Sequence, residues 1–196
     1  GNRVHWGVPK EAIPTRPLMS QLHDEYIKRI LSARVYDVSE ETRLHKAPQL
    51  SKRLNNEVWL KREDEQSIFS FKCRGAFNRI FKLMEDQEVT GVIAASAGNH
   101  AQGVALSAQK LGISSVIVMP QTTPSIKVEA VRALGGEAIL HGDDFDAALV
   151  FALQLSEERN FPFIHPFDDP NTIAGQGTVA VEICRQHPGP LDVVFL

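Results

Sequence analysis

Between residues 91 and 165 the sequence alternates between short apolar runs and longer segments with helical patterns. The apolar runs cover 91–96, 114–119, 137–141 and 161–165, and helical patterns lie between them at 99–111, 124–134 and 143–160. Near-continuous apolar strands joined by helices are typical of a parallel sheet, because helices cover both of its faces. The sequence therefore predicts an α/β fold with mainly parallel sheets and flanking helices.

The two ends of the chain are less regular. Three prolines within residues 1–20 indicate an irregular arm. We expect helices over 24–34, 71–84 and 177–186, a short strand at 58–60, and a last strand at 192–196. Ser70 is the expected N-cap of the helix over 71–84. Because no helix follows the apolar run at 192–196, we expect this chain to be a fragment of a longer protein.

Composition excludes several classes of function. Hydrophobic residues make up 43% and charged residues 23%, as in ordinary globular proteins. The net charge of -3 argues against a nucleic-acid binder, and no apolar run approaches the ~20 residues of a membrane span. Cys73 and Cys184 form no CxxC pair, which argues against a zinc site and a disulfide framework. With no secretory signal recognised, we expect a reducing, cytoplasmic location.

The segment 96–100 (SAGNH) lies between the first apolar run and the helix after it. Ligands of open α/β sheets bind beyond the carboxyl ends of the strands, and a helix N-terminus attracts anions through its unpaired amides. A carboxylate or a phosphate is therefore the expected guest. An ordinary connecting turn with a capping Asn99 explains the same residues equally well.

Lys72 is the second candidate, at the expected start of a helix. The positive end of the helix dipole disfavours a lysine cation there and favours the neutral amine that Schiff-base chemistry needs. A solvated surface charge is the simpler explanation for any one lysine. Close by, Arg74 is expected to brace a carboxylate or a carbonyl, and Glu63 with Asp64 to form a solvated charged turn.

A third pattern, GQGTVA at 175–180, matches the glycine spacing of dinucleotide-binding turns. That site requires an apolar strand running directly into the glycines. Here a polar stretch with Pro170 precedes them, so we expect the glycines to serve close packing between a helix and the sheet.

Taken together, these segments resemble the threonine/serine dehydratases of pyridoxal-phosphate fold type II, and among them the biosynthetic threonine deaminases. The resemblance runs from about Ala33 to the end of the chain. It is carried by segments 61–64 (KRED), 70–76 (SFKCRGA), 96–103 (SAGNHAQG), 117–120 (IVMP) and 173–178 (IAGQGT).

The resemblance implies a role for each residue of the two long motifs. Lys72 would hold pyridoxal 5'-phosphate as a Schiff base and take the α-proton of the substrate. Phe71 would lie against the cofactor ring, and Asn99 would hydrogen-bond the ring hydroxyl. The substrate carboxylate would be held by Ser96, Asn99 and His100 with the amides of their turn, beside Ala97. Racemases of this family carry a serine at the position that matches Ala97.

The implied reaction converts L-threonine into 2-oxobutanoate and ammonia, for isoleucine biosynthesis. We expect a larger cofactor domain from 1–79 and 172–196, incomplete without a phosphate-binding loop farther on, and a smaller domain inserted at 80–171. This chain alone is expected to be inactive, and the full-length enzyme to be a homo-oligomer acting on a small amino acid. The alternatives are an L-serine dehydratase, a β-replacement enzyme, or a non-catalytic fragment that needs a separate C-terminal segment.

Overall fold

A computed structural model describes residues 16–195 and contains seven α-helices and five strands within that range. The helices are α1 Arg16–Leu31, α2 Pro48–Leu54, α3 Lys72–Asp86, α4 Asn99–Leu111, α5 Ser125–Ala133, α6 Phe145–Arg159 and α7 Pro170–Gln186. The strands are β1 Leu44–Lys46, β2 Trp59–Lys61, β3 Gly91–Ala95, β4 Ser114–Met119 and β5 Glu137–Leu140, and a 3-10 helix covers Glu63–Glu65. No helix of this range is both long and apolar enough to cross a membrane.

The central sheet is parallel, in the order β3-β4-β5. Its side chains alternate between two buried clusters. Val92 and Ile117 face a cluster that includes residues of α3, α4 and α5, whereas Ile93 and Val116 face the cluster with α6. This two-residue period on a sheet covered on both faces confirms the predicted α/β class. A separate antiparallel pair, β1 with β2, precedes it.

The apolar run at 161–165 does not form the predicted strand. Only Phe163 makes a bridge, parallel to Ile93 of β3. Pro162 lacks an N–H group, and Pro166 follows directly, so the segment cannot extend a ladder in either direction. It nevertheless runs alongside β3, since Ile164 donates its N–H to the Ile93 carbonyl at 2.8 Å.

The predicted strand at 192–196 is also absent from the described residues 192–195. Val193, Val194 and Phe195 are exposed, and Leu196 lies outside the described residues. An isolated run of strand-forming residues has no stability until another strand pairs its N–H and C=O groups. No strand of the described part of the chain pairs with it.

Two helices begin earlier than predicted. Helix α7 begins at Pro170 instead of residue 177, because Asp169 caps it by accepting hydrogen bonds from two first-turn amides and Pro170 suits the first helical position. Helix α1 begins at Arg16, within the segment predicted to be irregular, while residues 1–15 lie outside the described residues. Ser70 is not the N-cap of α3; that position is Phe71, and Ser70 Oγ accepts a hydrogen bond from the Lys72 N–H.

The glycines of the GQGT segment pack helix against helix, not helix against sheet. A Cβ on Gly175 would lie 2.6 Å from the Arg74 carbonyl oxygen and 2.6 Å from Gly75 Cα, so the backbones of α3 and α7 touch. Small residues are required where two helices approach this closely. The contact holds α7 against the first turn of α3, which carries Lys72.

Candidate active site

The turn at 96–100 lies at the carboxyl end of β3, as predicted, and leads into α4. Helix α4 begins at Asn99, and the Ser96 N–H continues the sheet by donating to the Val118 carbonyl at 3.0 Å. The first amides of a helix have no partner within it. The turn therefore presents N–H groups and a positive helix end at the edge of the sheet where ligands bind in this class of fold.

Three side chains of this turn face different surroundings. Ser96 Oγ accepts a hydrogen bond from the Gly98 N–H at 3.2 Å, which leaves the hydroxyl hydrogen free to donate. Asn99 is exposed and makes no side-chain hydrogen bond to the rest of residues 16–195. Ala97 packs against the core cluster next to α3 and α4. A Cβ on Gly98 would meet no atom within 4 Å, so open space lies beside the turn.

His100 is buried and points away from solvent. Its Nε2 lies 2.9 Å from the Ile164 carbonyl oxygen, so Nε2 carries the hydrogen and donates it. Burial lowers the pKa of His100 to about 4, which keeps the ring neutral at pH 7. Its Nδ1 is then an acceptor with no partner among the described residues. Because the ring is uncharged, the His100 side chain is not a cationic partner for a carboxylate. The group that His100 offers to an anion is its backbone N–H.

Lys72 is the first residue of α3 and is half-buried. Its Nζ donates to the Pro166 carbonyl at 3.0 Å and lies 5.4 Å from the centre of the Phe71 ring. Burial lowers the pKa of Lys72, because the charged form loses hydration that the interior does not replace. The amine is thus easier to deprotonate than that of an exposed lysine.

The segment 164–166 brings Lys72 and the 96–100 turn to one edge of the sheet. It continues from the bridge to β3, so it reaches the carboxyl edge beside the turn. Its Ile164 carbonyl accepts from His100, and its Pro166 carbonyl accepts from Lys72. Lys72 and His100, which are 28 positions apart in the sequence, therefore contact the same stretch of backbone. Nothing in the sequence of 164–166 signals this role.

Two aromatic residues precede Lys72. Phe71, predicted to lie against a cofactor ring, is 39% exposed, so part of this residue is accessible. Phe69 is 78% exposed and has a φ of 57°, a left-handed conformation that a non-glycine residue rarely adopts. Such strain is concentrated at functional sites. Phe69 was not among the residues that the sequence marked as candidates.

Behind Lys72 lies a buried ion cluster, which we call the Arg74 network: Arg74, Glu63, Glu182 and Lys61. Arg74 braces carboxylates, as predicted. The prediction of a solvated turn is wrong for Glu63, which is buried because it pairs with Arg74 at 2.8 Å, whereas Asp64 is exposed and pairs with Arg62. Glu182 was not among the sequence candidates; it lies on the buried face of α7 together with Gly175 and Thr178.

Other features of the described residues lie apart from this edge. Within residues 16–195 no group of three or more His, Cys, Asp or Glu side chains is placed to bind a metal ion. An open groove of about 390 Å³ lies between α1 and α7, and it includes none of the residues that line the sheet edge near Lys72.

Comparison with known proteins places the chain in a family. Residues 35–196 match the family of pyridoxal-phosphate dependent enzymes. The biosynthetic L-threonine dehydratase of Burkholderia multivorans is 56% identical over 177 residues, which cover 89% of this chain and 35% of that protein. The chain thus spans about a third of the length of that relative.

Solved structures give the same picture. The processed form of threonine deaminase isoform 2 from Solanum lycopersicum matches with a TM-score of 0.81 and 52% identity, covering 85% of this chain and 46% of that one. Maize serine racemase matches with a TM-score of 0.78 and 34% identity, covering 84% and 50%. From the family match, the shared fold and the lysine at the sheet edge, it follows that this chain belongs to the family of pyridoxal-phosphate-dependent enzymes.

Proposed function

We propose that this chain is the N-terminal part of a pyridoxal-phosphate-dependent L-threonine dehydratase, which converts L-threonine into 2-oxobutanoate and ammonia. The observation that carries the proposal is the meeting of the half-buried Lys72 amine with the 96–100 turn at one sheet edge. An amine that deprotonates readily and an anion-binding helix end are what an amino-acid substrate with a free carboxylate requires. The 56% identity to a biosynthetic threonine dehydratase supports the choice of substrate.

The residues present fit the ring end of the cofactor. Lys72 offers a nucleophilic nitrogen, Phe71 a partly exposed aromatic side chain, and the space beside Gly98 is open. Asn99 has an unused carboxamide at the same edge. We assign none of the described residues to the cofactor phosphate, so the fit concerns the ring and the substrate only.

The chain's own groups then have defined tasks. Lys72 would hold the cofactor covalently and, once free, would take the α-proton of the substrate on Nζ; burial keeps that amine easy to deprotonate. Phe71 would support the ring and Asn99 would hydrogen-bond it. The carboxylate would be held by the amides of the 96–100 turn and the hydroxyl of Ser96. Bound pyridoxal phosphate supplies an electron sink for the electron pair that remains on the α-carbon when the α-proton is removed.

Ala97 favours elimination over inversion at the α-carbon. A methyl group neither donates nor accepts a proton, so Lys72 is the single acid/base that we assign to that carbon. The similarity to maize serine racemase keeps L-serine as an alternative substrate on the same scaffold. A serine dehydratase would use the same residues, because the two substrates differ by one methyl group.

Several finer points are part of this proposal. We propose a smaller domain over 80–171, supported by the β3-β4-β5 sheet that lies wholly within it, inserted into a larger one formed by 1–79 and 172–196. The exposed apolar side chains of Leu22, Ile27 and Leu31 support a homo-oligomer for the longer protein. The two free cysteines support a reducing compartment such as the cytoplasm.

The experiment measures 2-oxobutanoate formation from L-threonine in the presence of pyridoxal phosphate. It compares the 196-residue chain with the longer polypeptide encoded by the same reading frame, in wild-type form and as Lys72→Ala. We expect product from the longer wild-type protein, and loss of many orders of magnitude in the variant. Absence of product from the longer protein with both L-threonine and L-serine would overturn the proposal.

A further inference from the structure

The Arg74 network contains two cations and two anions, closed off from water. Arg74 and Glu182 are 0% exposed, and the side chain of Lys61 is 8% exposed. The Arg74 guanidinium meets Glu63 at 2.8 Å through both Nε and Nη2, and meets Glu182 at 2.5 and 3.0 Å through Nη1 and Nη2. Lys61 Nζ lies 2.6 Å from the second Glu182 oxygen. The four charges cancel.

Neutral groups complete the cluster. Arg74 also donates to Thr178 Oγ1 at 3.1 Å and to the Glu40 carbonyl at 2.9 Å. Glu63 accepts from the Thr42 hydroxyl at 2.6 Å, and Glu182 accepts from the Tyr36 hydroxyl at 2.8 Å. Every nitrogen of the guanidinium is thus used, in a planar fork that lysine cannot reproduce.

Stability does not explain such a cluster. Removing charges from water costs several kcal/mol per ion, and well-packed apolar side chains in their place are often as stable or more so. A planar guanidinium that uses every nitrogen fixes the relative orientation of the groups it joins, because each of its hydrogen bonds constrains an angle as well as a distance. The network joins the 3-10 helix at 63–65, the first turn of α3 and the middle of α7.

The same first turn of α3 is enclosed on its other sides by backbone contacts. A Cβ on Gly103 of α4 would lie 3.0 Å from the Lys72 carbonyl oxygen. On the α7 side, Gly175 meets the Arg74 carbonyl, and Gln176 Oε1 accepts from the Gly75 N–H at 3.1 Å. Lys72, two residues before Arg74, therefore begins a helix whose first turn has little freedom to rotate or shift.

We propose that the Arg74 network is a positioning device for Lys72, with Arg74 as the positioning residue and the carboxylates of Glu63 and Glu182 as its anchors. It deepens the proposed function, since Lys72 is the residue positioned. No charge of the network is needed near the Lys72 amine for this role, because the effect passes through the backbone of the first turn. Loss of the fork lets the turn shift and moves the Lys72 amine from its place against Pro166 toward water.

The test is competitive acetylation of the 196-residue chain without cofactor, read by mass spectrometry of the Lys72 and Lys110 peptides across pH. The test variant is Arg74→Lys, which keeps the charge and removes the fork. Arg159→Lys is the matched control, because Arg159 makes a two-point contact with Glu137 on the surface, at 2.6 and 3.1 Å. Glu63→Gln is a second test variant, which keeps the shape of one anchor and removes its charge. It replaces Arg74→Lys in the test if Arg74→Lys does not fold.

In the wild type and Arg159→Lys we expect Lys72 to titrate below the ordinary range of an exposed lysine. In Arg74→Lys the midpoint of Lys72 rises toward that ordinary range, so the deprotonated fraction at pH 8 that the fitted midpoint gives falls at least threefold. Glu63→Gln gives a smaller change in the same direction. A purely structural role would lower the melting temperature and leave the Lys72 titration unchanged. If Arg74→Lys or Glu63→Gln is folded and its Lys72 titration is the same as in the wild type, the proposal is wrong.

This readout is separate from the test of the proposed function. Acetylation of Lys72 requires neither pyridoxal phosphate nor turnover of threonine. A shifted Lys72 titration together with an inactive longer protein would therefore refute the dehydratase and keep the positioning role. An active protein with an unshifted titration would do the reverse.

Discussion

Replacing Gly175 with alanine tests the helix contact that holds α7 against the first turn of α3. The new Cβ would lie 2.6 Å from the Arg74 carbonyl oxygen and 2.6 Å from Gly75 Cα, whereas ordinary contacts begin at 3.4 Å. The two helices must therefore separate by about 0.8 Å, the difference between these distances. Forcing an extra carbon into a packed interface costs about 1–3 kcal/mol. The separation also stretches the hydrogen bonds that join Arg74 to Glu182 across the same interface.

Gly177→Ala is the matched control, because it lies in the same helix two residues farther on. Alanine is favoured over glycine in a helix by up to about 1 kcal/mol, and this gain is common to both variants. The Cβ on Gly177 would meet Ile30 Cδ1 at 2.6 Å and Ile30 Cγ1 at 2.7 Å. Both are side-chain atoms, which a rotation of the Ile30 side chain can move, whereas the Cβ on Gly175 would meet backbone atoms.

We expect Gly175→Ala to be less stable than Gly177→Ala by about 2 kcal/mol, which for a chain of this size is about 4–8 °C in melting temperature. The assay is urea unfolding followed by circular dichroism, with the slope of free energy against urea compared between variants. Equal stability of the two variants with equal slopes would refute the close backbone contact and the clamped first turn derived from it.

Three further predictions follow from single groups. Because the pKa of His100 is lowered to about 4 in the folded protein, the unfolded chain binds more protons between pH 4 and 6.5, so the free energy of unfolding falls on acidification through that window by up to about 1.4 kcal/mol per pH unit. Urea unfolding at pH 7 and pH 5 should show a smaller loss of stability for His100→Gln than for the wild type, and an equal loss would contradict a neutral, buried His100. Asp169→Ala removes both the cap of α7 and the ion pair of Asp169 with Arg79 at 2.8 Å, and it should lower the free energy of unfolding by about 1–2 kcal/mol. The exposed Asp168→Ala should change it by less than about 0.5 kcal/mol, and equal effects of the two substitutions would contradict a stabilising role of Asp169 at this helix end. Because Ala97 offers no second acid/base, the longer protein should form oxo acid from L-serine without D-serine. Chiral chromatography that finds D-serine at a rate comparable to pyruvate would show that another residue acts as acid or base on the side of the α-carbon opposite Lys72.

The repeating part of the fold could be predicted because its signal is local. Helix α4 and strand β4 have the predicted bounds, since a left-handed Gly112 ends the helix and the apolar run of β4 is uninterrupted. The apolar run at 161–165 shows the limit of this signal. Its composition suits a strand, but Pro162 and Pro166 prevent a ladder, and only one bridge to β3 forms.

The candidate site could be predicted as two separate motifs, but not as one place. Lys72 lies in the first turn of its helix and Asn99 begins the next helix, as the sequence indicated. Their meeting depends on the carbonyl groups of Ile164 and Pro166, which any residue would supply. Backbone groups leave no mark in a sequence, so only the structure reveals this connection.

Buried charges are the other feature that sequence reasoning could not place. Glu63 belongs to a run of charged residues, which normally indicates a solvated turn, and Glu182, which shares the Arg74 guanidinium with it, is 119 positions away. The free energy of burying either carboxylate depends on Arg74, which lies between them. The residues next to Glu63 or Glu182 in the sequence therefore do not determine whether it is buried. The sequence thus predicted that Arg74 braces a carboxylate, but it did not predict that Glu63 and Glu182 are the carboxylates that Arg74 binds.

The central claim is that Lys72 carries the cofactor, and one measurement addresses it directly. The chain is incubated with pyridoxal phosphate, reduced with borohydride, digested and mapped by mass spectrometry. Of the nine lysines in the sequence, we expect Lys72 to hold the reduced adduct, because its amine is half-buried with a lowered pKa beside an accessible aromatic ring. Lys61, which is paired with Glu182, should remain unlabelled. An adduct on Lys61 or Lys82 in place of Lys72 would contradict the account.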